Sequence, residues 1–369
     1  MHLYVHVPFC ARRCSYCDFA IAVRKDVPSA RFAALVLAEW ERWRDEPAWA
    51  EFPEFTTVYF GGGTPSRLDA ASLADLLAGL TRDRPIAPSA EVTLEANPED
   101  VTPTLARAWR EAGVNRVSLG VQSFEAAALQ WMHRTHRAEQ AGQAVEALRE
   151  AGIPSISLDL IYALPPDIPR DWQRDLELAL ALAPDHLSLY GLTVEQHTPL
   201  ARWVNRGETH PAPEERYAGE FLTAHDRLTA AGFHHYEVSN YGRPGREARH
   251  NSAYWRRASY LGLGPSAHSS RGERRWWNVR EWSAWEEAVS QGVSTIMGSE
   301  RLDADALALE DLYLGLRTSE GVPAGLVRDR IAASWIEAGW ATRAGQRLAL
   351  TPEGWLRLDA LVSQAASHR

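Results

Sequence analysis

Leu3-Tyr4-Val5-His6-Val7-Pro8-Phe9-Cys10-Ala11-Arg12-Arg13-Cys14-Ser15-Tyr16-Cys17 places three cysteines directly behind an apolar run of strand length. Residues 3–7 are rich in leucine and valine, as a strand buried in a sheet requires. The chain has 369 residues, and its only cysteines are Cys10, Cys14 and Cys17. An odd count behind no export signal argues against a disulfide framework. Three readings of the cluster remain. The cysteines could be incidental buried residues. They could hold a structural zinc, with a fourth ligand such as His6. They could also hold an iron–sulfur cluster, which soft thiolates select. The C-x₃-C-x₂-C spacing favours the cluster, and with three protein ligands one iron of a 4Fe-4S cubane stays open to a small molecule.

Working outward, five more apolar runs follow the first, at 57–60, 92–95, 116–121, 155–161 and 186–192. Each ends in a polar or Gly-rich turn and leads into a helical pattern. Ser29 is placed to cap a helix carrying Phe32, Leu35, Val36, Trp40 and Trp43. Pro103 opens another, which Gly113 ends, and further helices close at Gly152 and Gly232. Alternating β and α units predict an α/β fold with a parallel sheet and right-handed crossovers. Six units are too few for a closed eight-fold barrel, so the expected fold is a partial (β/α)₆ barrel over residues 1–232. Residues 233–299 form an extension rich in His, Tyr, Trp and Arg without a long helical period. Residues 300–369 read as a small winged-helix-like domain, suited to packing or docking since 8 Arg face 10 acidic residues there.

Composition narrows the function. Lys+Arg 39 against Asp+Glu 48 gives a net charge of −9, against general nucleic-acid binding. Hydrophobic residues at 45% and charged residues at 24% suit an ordinary globular chain. No apolar run reaches membrane-spanning length, and no signal peptide precedes the first strand, so the expected compartment is the cytoplasm, with peripheral association at the inner membrane face left open.

The ends of the other strands carry further polar groups. Gly61-Gly62-Gly63-Thr64-Pro65 lacks the Lys-Ser/Thr of a phosphate loop; its bare backbone is expected to approach a ligand. Glu95 is a carboxylate suited to ribose hydroxyls. Gln122 and Thr193 end later strands, with Arg134 beyond. Asp159 lies inside an apolar run and must be paired, with a ligand or Arg134 as the expected partner. Gly262-Leu263-Gly264 formally opens a dinucleotide motif, but no strand–helix unit surrounds it.

The cysteine spacing, with an aromatic before the last cysteine, resembles the signature of the radical S-adenosylmethionine superfamily. That resemblance implies a 4Fe-4S cluster whose open iron chelates S-adenosylmethionine, and reductive cleavage of its sulfonium to a deoxyadenosyl radical. Nearly the whole chain is similar to the HemW-type heme chaperones and the related oxygen-independent coproporphyrinogen III oxidases. The similarity runs through His6-Val7-Pro8-Phe9-Cys10, Gly120-Val121-Gln122-Ser123-Phe124, Asp159-Leu160-Ile161-Tyr162 and Tyr236-Glu237-Val238-Ser239-Asn240. It implies that Tyr4, Gly62, Glu95 and His268 contact S-adenosylmethionine. It implies also that Tyr16, Gly63, Thr64, Gln122, Arg134, Asp159 and Thr193 line a second cofactor position. The oxidases carry a further cysteine two residues after the third; here that place is Phe19. His250-Asn251-Ser252-Ala253-Tyr254-Trp255 resembles the chaperones' heme-binding H-N-x-x-Y-W motif. His250 is the implied heme ligand, with Tyr254 and Trp255 covering the macrocycle and Arg249, Arg256 and Arg257 available to propionates. The resemblance therefore implies a heme chaperone that passes heme to a hemoprotein client, for instance a respiratory-chain protein, with an electron donor serving the cluster. The alternative is decarboxylation of coproporphyrinogen III to protoporphyrinogen IX.

Overall fold

A computed structural model describes residues 1–367. The six expected runs are strands β1 (His2–Val7), β2 (Phe55–Gly62), β3 (Ile86–Ala96), β4 (Arg116–Gln122), β5 (Ser155–Tyr162) and β6 (His186–Gly191). They pair in chain order, all parallel. Six later strands join the same sheet: β7 (His234–Glu237), β8 (Asn240–Gly242), β9 (Tyr260–Leu263), β10 (His268–Arg271), β11 (Arg274–Asn278) and β12 (Ile296–Arg301). The twelve-stranded order is β12-β11-β10-β9-β1-β2-β3-β4-β5-β6-β8-β7. The sheet stays open, as expected, but the extension is itself mostly sheet. It adds β9 parallel to β1 and an antiparallel pair beyond β6. Its short strands carry Trp, His and Arg instead of β-branched runs, so periodicity did not expose them.

Helices follow the strands and pack on the sheet's outer face. The first, Ser29–Trp43, buries Phe32, Leu35, Val36 and Trp40. Ser29 is not its cap: the cap position is Pro28, and the Ser29 hydroxyl instead accepts the Asp69 N–H at 3.1 Å. Helix Pro103–Ala112 starts on the predicted proline, capped by Thr102, and ends on Gly113 at φ 107°. That glycine's left-handed backbone is one few other residues adopt.

The parallel strands are buried on both faces, but the two faces differ. Val58, Phe60, Val92, Leu94, Val117, Leu119, Ile156, Leu158, Leu187 and Leu189 belong to the hydrophobic core. The alternate positions point into the barrel and are polar. Across the sheet, Glu95, Ser118, Ser157 and His186 lie side by side in register, and Asp159 pairs with Ser188. Such an interior is stable only if its groups satisfy one another.

After β12 come helix Ala304–Leu316, helix Asp329–Glu337 and a three-stranded sheet of Val322–Pro323, Arg347–Leu350 and Ala341–Ala344. Among the described residues, no helix is long and apolar enough to cross a membrane.

Candidate functional site

The carboxyl ends of β1 to β6 surround a cavity of about 450 Å³, the place where α/β proteins hold their ligands. All three cysteines line it, together with Tyr16, Gly62, Gly63, Thr64, Glu95, Gln122, Arg134, Asp159 and Thr193. Twelve of the seventeen residues singled out from sequence thus converge on one space.

The cysteine loop leaves β1 at Cys10, whose short strand Phe9–Cys10 pairs with Ala22–Val23 to return the loop. The Thr64 hydroxyl donates to Cys10 Sγ at 3.4 Å, and Arg134 donates to Cys14 Sγ at 3.7 Å. Burial pushes the Cys17 thiol up to about 12 and raises Cys10 as well. All three sulfurs are free of disulfides. Among the described residues no three His, Cys, Asp or Glu side chains meet tightly enough to hold a single ion. All three cysteines line one cavity, as the ligands of a multi-atom cluster must. A cationic cluster would also supply the charge that these buried thiolates otherwise lack.

The glycine loop has a second reason for its composition. Gly62 sits at φ 112°, and a Cβ there would stand 2.6 Å from the His6 ring; one on Gly63 would stand 2.8 Å from the Pro8 carbonyl carbon. The loop is bare because β1 lies against it, and the same closeness leaves its backbone facing the cavity. The Gly62 N–H donates to Glu95 Oε2 at 3.0 Å, and Tyr59 Oη donates to Glu95 Oε1 at 2.7 Å. Burial raises the Glu95 carboxyl to about 7, against the pull of these two donors.

Arg134 crosses the floor, donating to Asn97 Oδ1 at 2.6 Å and to the Gly120 carbonyl at 2.7 Å. It does not bond Asp159. That carboxylate accepts from the Ser118 hydroxyl at 2.9 and 3.0 Å, and the cation acting on it is Arg116, buried deeper in the barrel. Arg116, Ser118, Ser188, Tyr190 and Asn97 all line the cavity and were missed from sequence. The available signal was a polar residue at every second position of strands otherwise apolar.

Five expected residues are not brought to this cavity. Tyr4 stacks on Tyr59 at 6.0 Å, and its hydroxyl lies 3.0 Å from His6 Nδ1. His268 stacks on Trp277 in the outer strands. His250, Tyr254 and Trp255 belong to the short helix Arg249–Trp255, of which only Asn251 reaches the cavity wall. His250 is 1% exposed. Its Nδ1 lies 2.6 Å from the Thr57 hydroxyl and its Nε2 2.7 Å from the Tyr254 hydroxyl, so neither ring nitrogen is open. Ligation by His250 requires one of these hydroxyls to leave. Of the arginines expected at propionates, Arg256 meets Glu320 at 2.7 Å and Arg257 meets Asp311 at 2.9 Å.

Residues 4–179 match the radical SAM superfamily model. Over 367 residues the chain is 40% identical to the heme chaperone HemW of Mycobacterium tuberculosis, covering 98% of this chain and 93% of that one. The chain belongs to the HemW family of radical SAM proteins. The HemW heme chaperone of Escherichia coli is 37% identical over 271 residues, 73% of this chain and 69% of that one. In fold, the chain resembles the coproporphyrinogen III oxidase of Escherichia coli, with a TM-score of 0.82 at 21% identity, over 100% of this chain and 90% of that one. Membership of the superfamily implies a 4Fe-4S cluster and S-adenosylmethionine, and the cysteine-lined cavity fits both in size and donor set.

Proposed function

We propose that this protein is a heme chaperone: it binds heme, carries a 4Fe-4S cluster with S-adenosylmethionine, and hands heme to a hemoprotein client. Carrying the reading is the near-full-length similarity to heme chaperones. Phe19 adds weight, for it is 57% exposed at the mouth of the cavity where the oxidases keep a further cysteine. A phenyl ring can neither ligate iron nor relay a proton there.

In this reading Cys10, Cys14 and Cys17 hold the cluster, and Glu95 accepts from ribose hydroxyls. Gly62 and Gly63 present bare backbone to the amino acid moiety, while Arg134 fixes Asn97 and the Gly120 turn. Tyr16, Thr64, Gln122, Asp159 and Thr193 complete the wall. When bound, the cluster and S-adenosylmethionine supply one-electron chemistry; the chain orients them and excludes water. Tyr4 and His268 stand outside the residues that line the cavity.

The test is anaerobic reconstitution with iron and sulfide, then heme titration and transfer to an apo-hemoprotein. Heme binding with transfer, and no porphyrin product from coproporphyrinogen III under reductant, is expected. Turnover of coproporphyrinogen III would instead establish the oxidase reading.

A further inference from the structure

The polar interior of the barrel joins the cysteine-lined cavity to a second one. That second cavity, of about 1290 Å³, opens near the starts of β1 and β2, where His2 and Thr56 line it together with Tyr236 of β7. Asp159 lines the first cavity. Between them stand Ser157 of β5 and His186, the first residue of β6, which are wholly buried and paired in register. Ser157 and Asp159 are two residues apart on one strand, so both point to the same face of the sheet.

These four side chains form one hydrogen-bonded row, and its polarity follows link by link. The Ala248 N–H can only donate, and it donates to Tyr236 Oη at 3.1 Å. The Tyr236 hydrogen is therefore free for His186 Nε2, at 2.7 Å. Burial holds the His186 pKa well below its ordinary value, so the ring is neutral. A neutral imidazole that accepts at Nε2 carries its proton on Nδ1, which lies 2.8 Å from Ser157 Oγ. With that donor on its oxygen, the Ser157 hydroxyl turns its hydrogen to Asp159 Oδ1 at 3.5 Å, the loosest link. Every donor thus points the same way, from the second cavity toward Asp159. Mutual satisfaction of buried groups needs partners but no common direction; a proton hopping along the row needs both.

Asp159 gives the row a terminus that can take a proton. It also accepts from Ser118, and Arg116, Glu95, Tyr59 and Tyr190 are the charged and titratable groups facing it. A ligand filling the first cavity covers Asp159 from that side, which leaves the barrel interior as its way to water.

We propose that Tyr236, His186 and Ser157 are a proton path: positioning residues that exchange the carboxyl proton of Asp159 with water in the second cavity while the first is filled. In one passage the Tyr236 proton moves to His186 Nε2, the His186 Nδ1 proton to Ser157 Oγ, and the Ser157 proton to Asp159. A hydronium ion in the second cavity restores the phenol and becomes water, while the carboxylate becomes a carboxylic acid. Deprotonation retraces the same steps, so no ring has to turn over. The path depends on the barrel and the cofactor cavity, and is independent of the chaperone reading.

The experiment is a pH jump on the reconstituted full chain, followed by time-resolved infrared absorption at the carboxylic acid C=O stretch, with S-adenosylmethionine saturating or absent. Asp159→Asn identifies the band. With the first cavity filled, Ser157→Ala and Tyr236→Phe should slow its rise by about tenfold or more, and Ser157→Thr, which restores a hydroxyl, should recover the rate. With the cavity open, water reaches Asp159 directly, and every variant should match wild type within about twofold. Wild-type rates in both Ser157→Ala and Tyr236→Phe with the cavity filled overturn the path. Slowing by the same factor with the cavity open also overturns it, since Asp159 itself would then be disturbed, and so does an Asp159 band that never titrates.

Discussion

Replacing Tyr59 by Phe removes one oxygen and tests whether Glu95 senses S-adenosylmethionine as an acceptor. The phenol donates to Glu95 at 2.7 Å, while its ring stacks on His250 at 4.9 Å. Phe keeps the ring, so packing is preserved and only the donor is lost. A hydrogen bond to a charged group contributes about 1.5–3 kcal/mol, of which Gly62 can retain part by tightening its own bond. About half transmitted to the ionised form would lift the Glu95 pKa by roughly one pH unit, since that corresponds to about 1.4 kcal/mol. The sign is fixed: burial has already raised Glu95 to about 7, and Tyr59 pulls it down. Only the carboxylate accepts from both ribose hydroxyls. Wild-type affinity for S-adenosylmethionine should therefore improve as pH rises through about 7, and the variant should need a pH about one unit higher. At pH 7 the deficit is about fivefold, tending to about tenfold at lower pH and fading in alkali. Equilibrium dialysis of the reconstituted protein across pH 6–9 reads it. Affinity flat with pH in both proteins, or equal loss at every pH, would refute the argument.

Further outcomes are expected from the same geometry. Arg134→Lys cannot reproduce the bonds to Asn97, Gly120 and Cys14; S-adenosylmethionine binding should weaken by about 10–100-fold, and acid-labile sulfide content should stay unchanged. Cys14→Ala should lose iron and sulfide together after anaerobic reconstitution, while far-ultraviolet circular dichroism stays native. Glu237, wholly buried, has its pKa raised to about 7 by burial. A raised carboxyl binds more protons folded than unfolded, so its contribution favours the fold at low pH and is lost as pH rises from about 4.5 to about 7, costing about 3 kcal/mol. Urea midpoints of Glu237→Gln at pH 5.5 and 8 should differ less than those of wild type.

The parallel core was legible because its signals are local. Apolar runs, proline at a first helical turn and glycine beyond a last one each act within a few residues. The cysteine cluster was legible for the same reason. What escaped were relations set by how the strands pair across the sheet. Asp159 looked like a partner for Arg134, but its charge answers Arg116 on the neighbouring strand, a pairing fixed by register. Glycines 62 and 63 read as ligand contacts, while their first constraint is β1 pressed behind them. The extension from residue 233 hid two of its strands because their pairing partners lie far off in sequence: Asn240 meets Ser188 in β6, and Tyr260 meets His2 in β1.

The placement of His250 changes how a substitution there can be read. Its ring sits between Thr57 and Tyr254 and stacks on Tyr59, which holds Glu95. Removing it strips packing from the helix Arg249–Trp255 and leaves the Tyr254 hydroxyl without a partner, at about 1–3 kcal/mol if it stays dry, while Thr57 keeps only His2 Nδ1 at 2.9 Å. A His250→Ala protein that no longer binds heme is therefore expected whether His250 ligates iron or only holds the helix. Metal-free protoporphyrin IX separates the two cases, because it has no iron to ligate. Equal loss of heme and of the metal-free ring means the wall has failed. Loss of heme alone means a ligand has gone, and the helix Arg249–Trp255 must then open to let that ligand out.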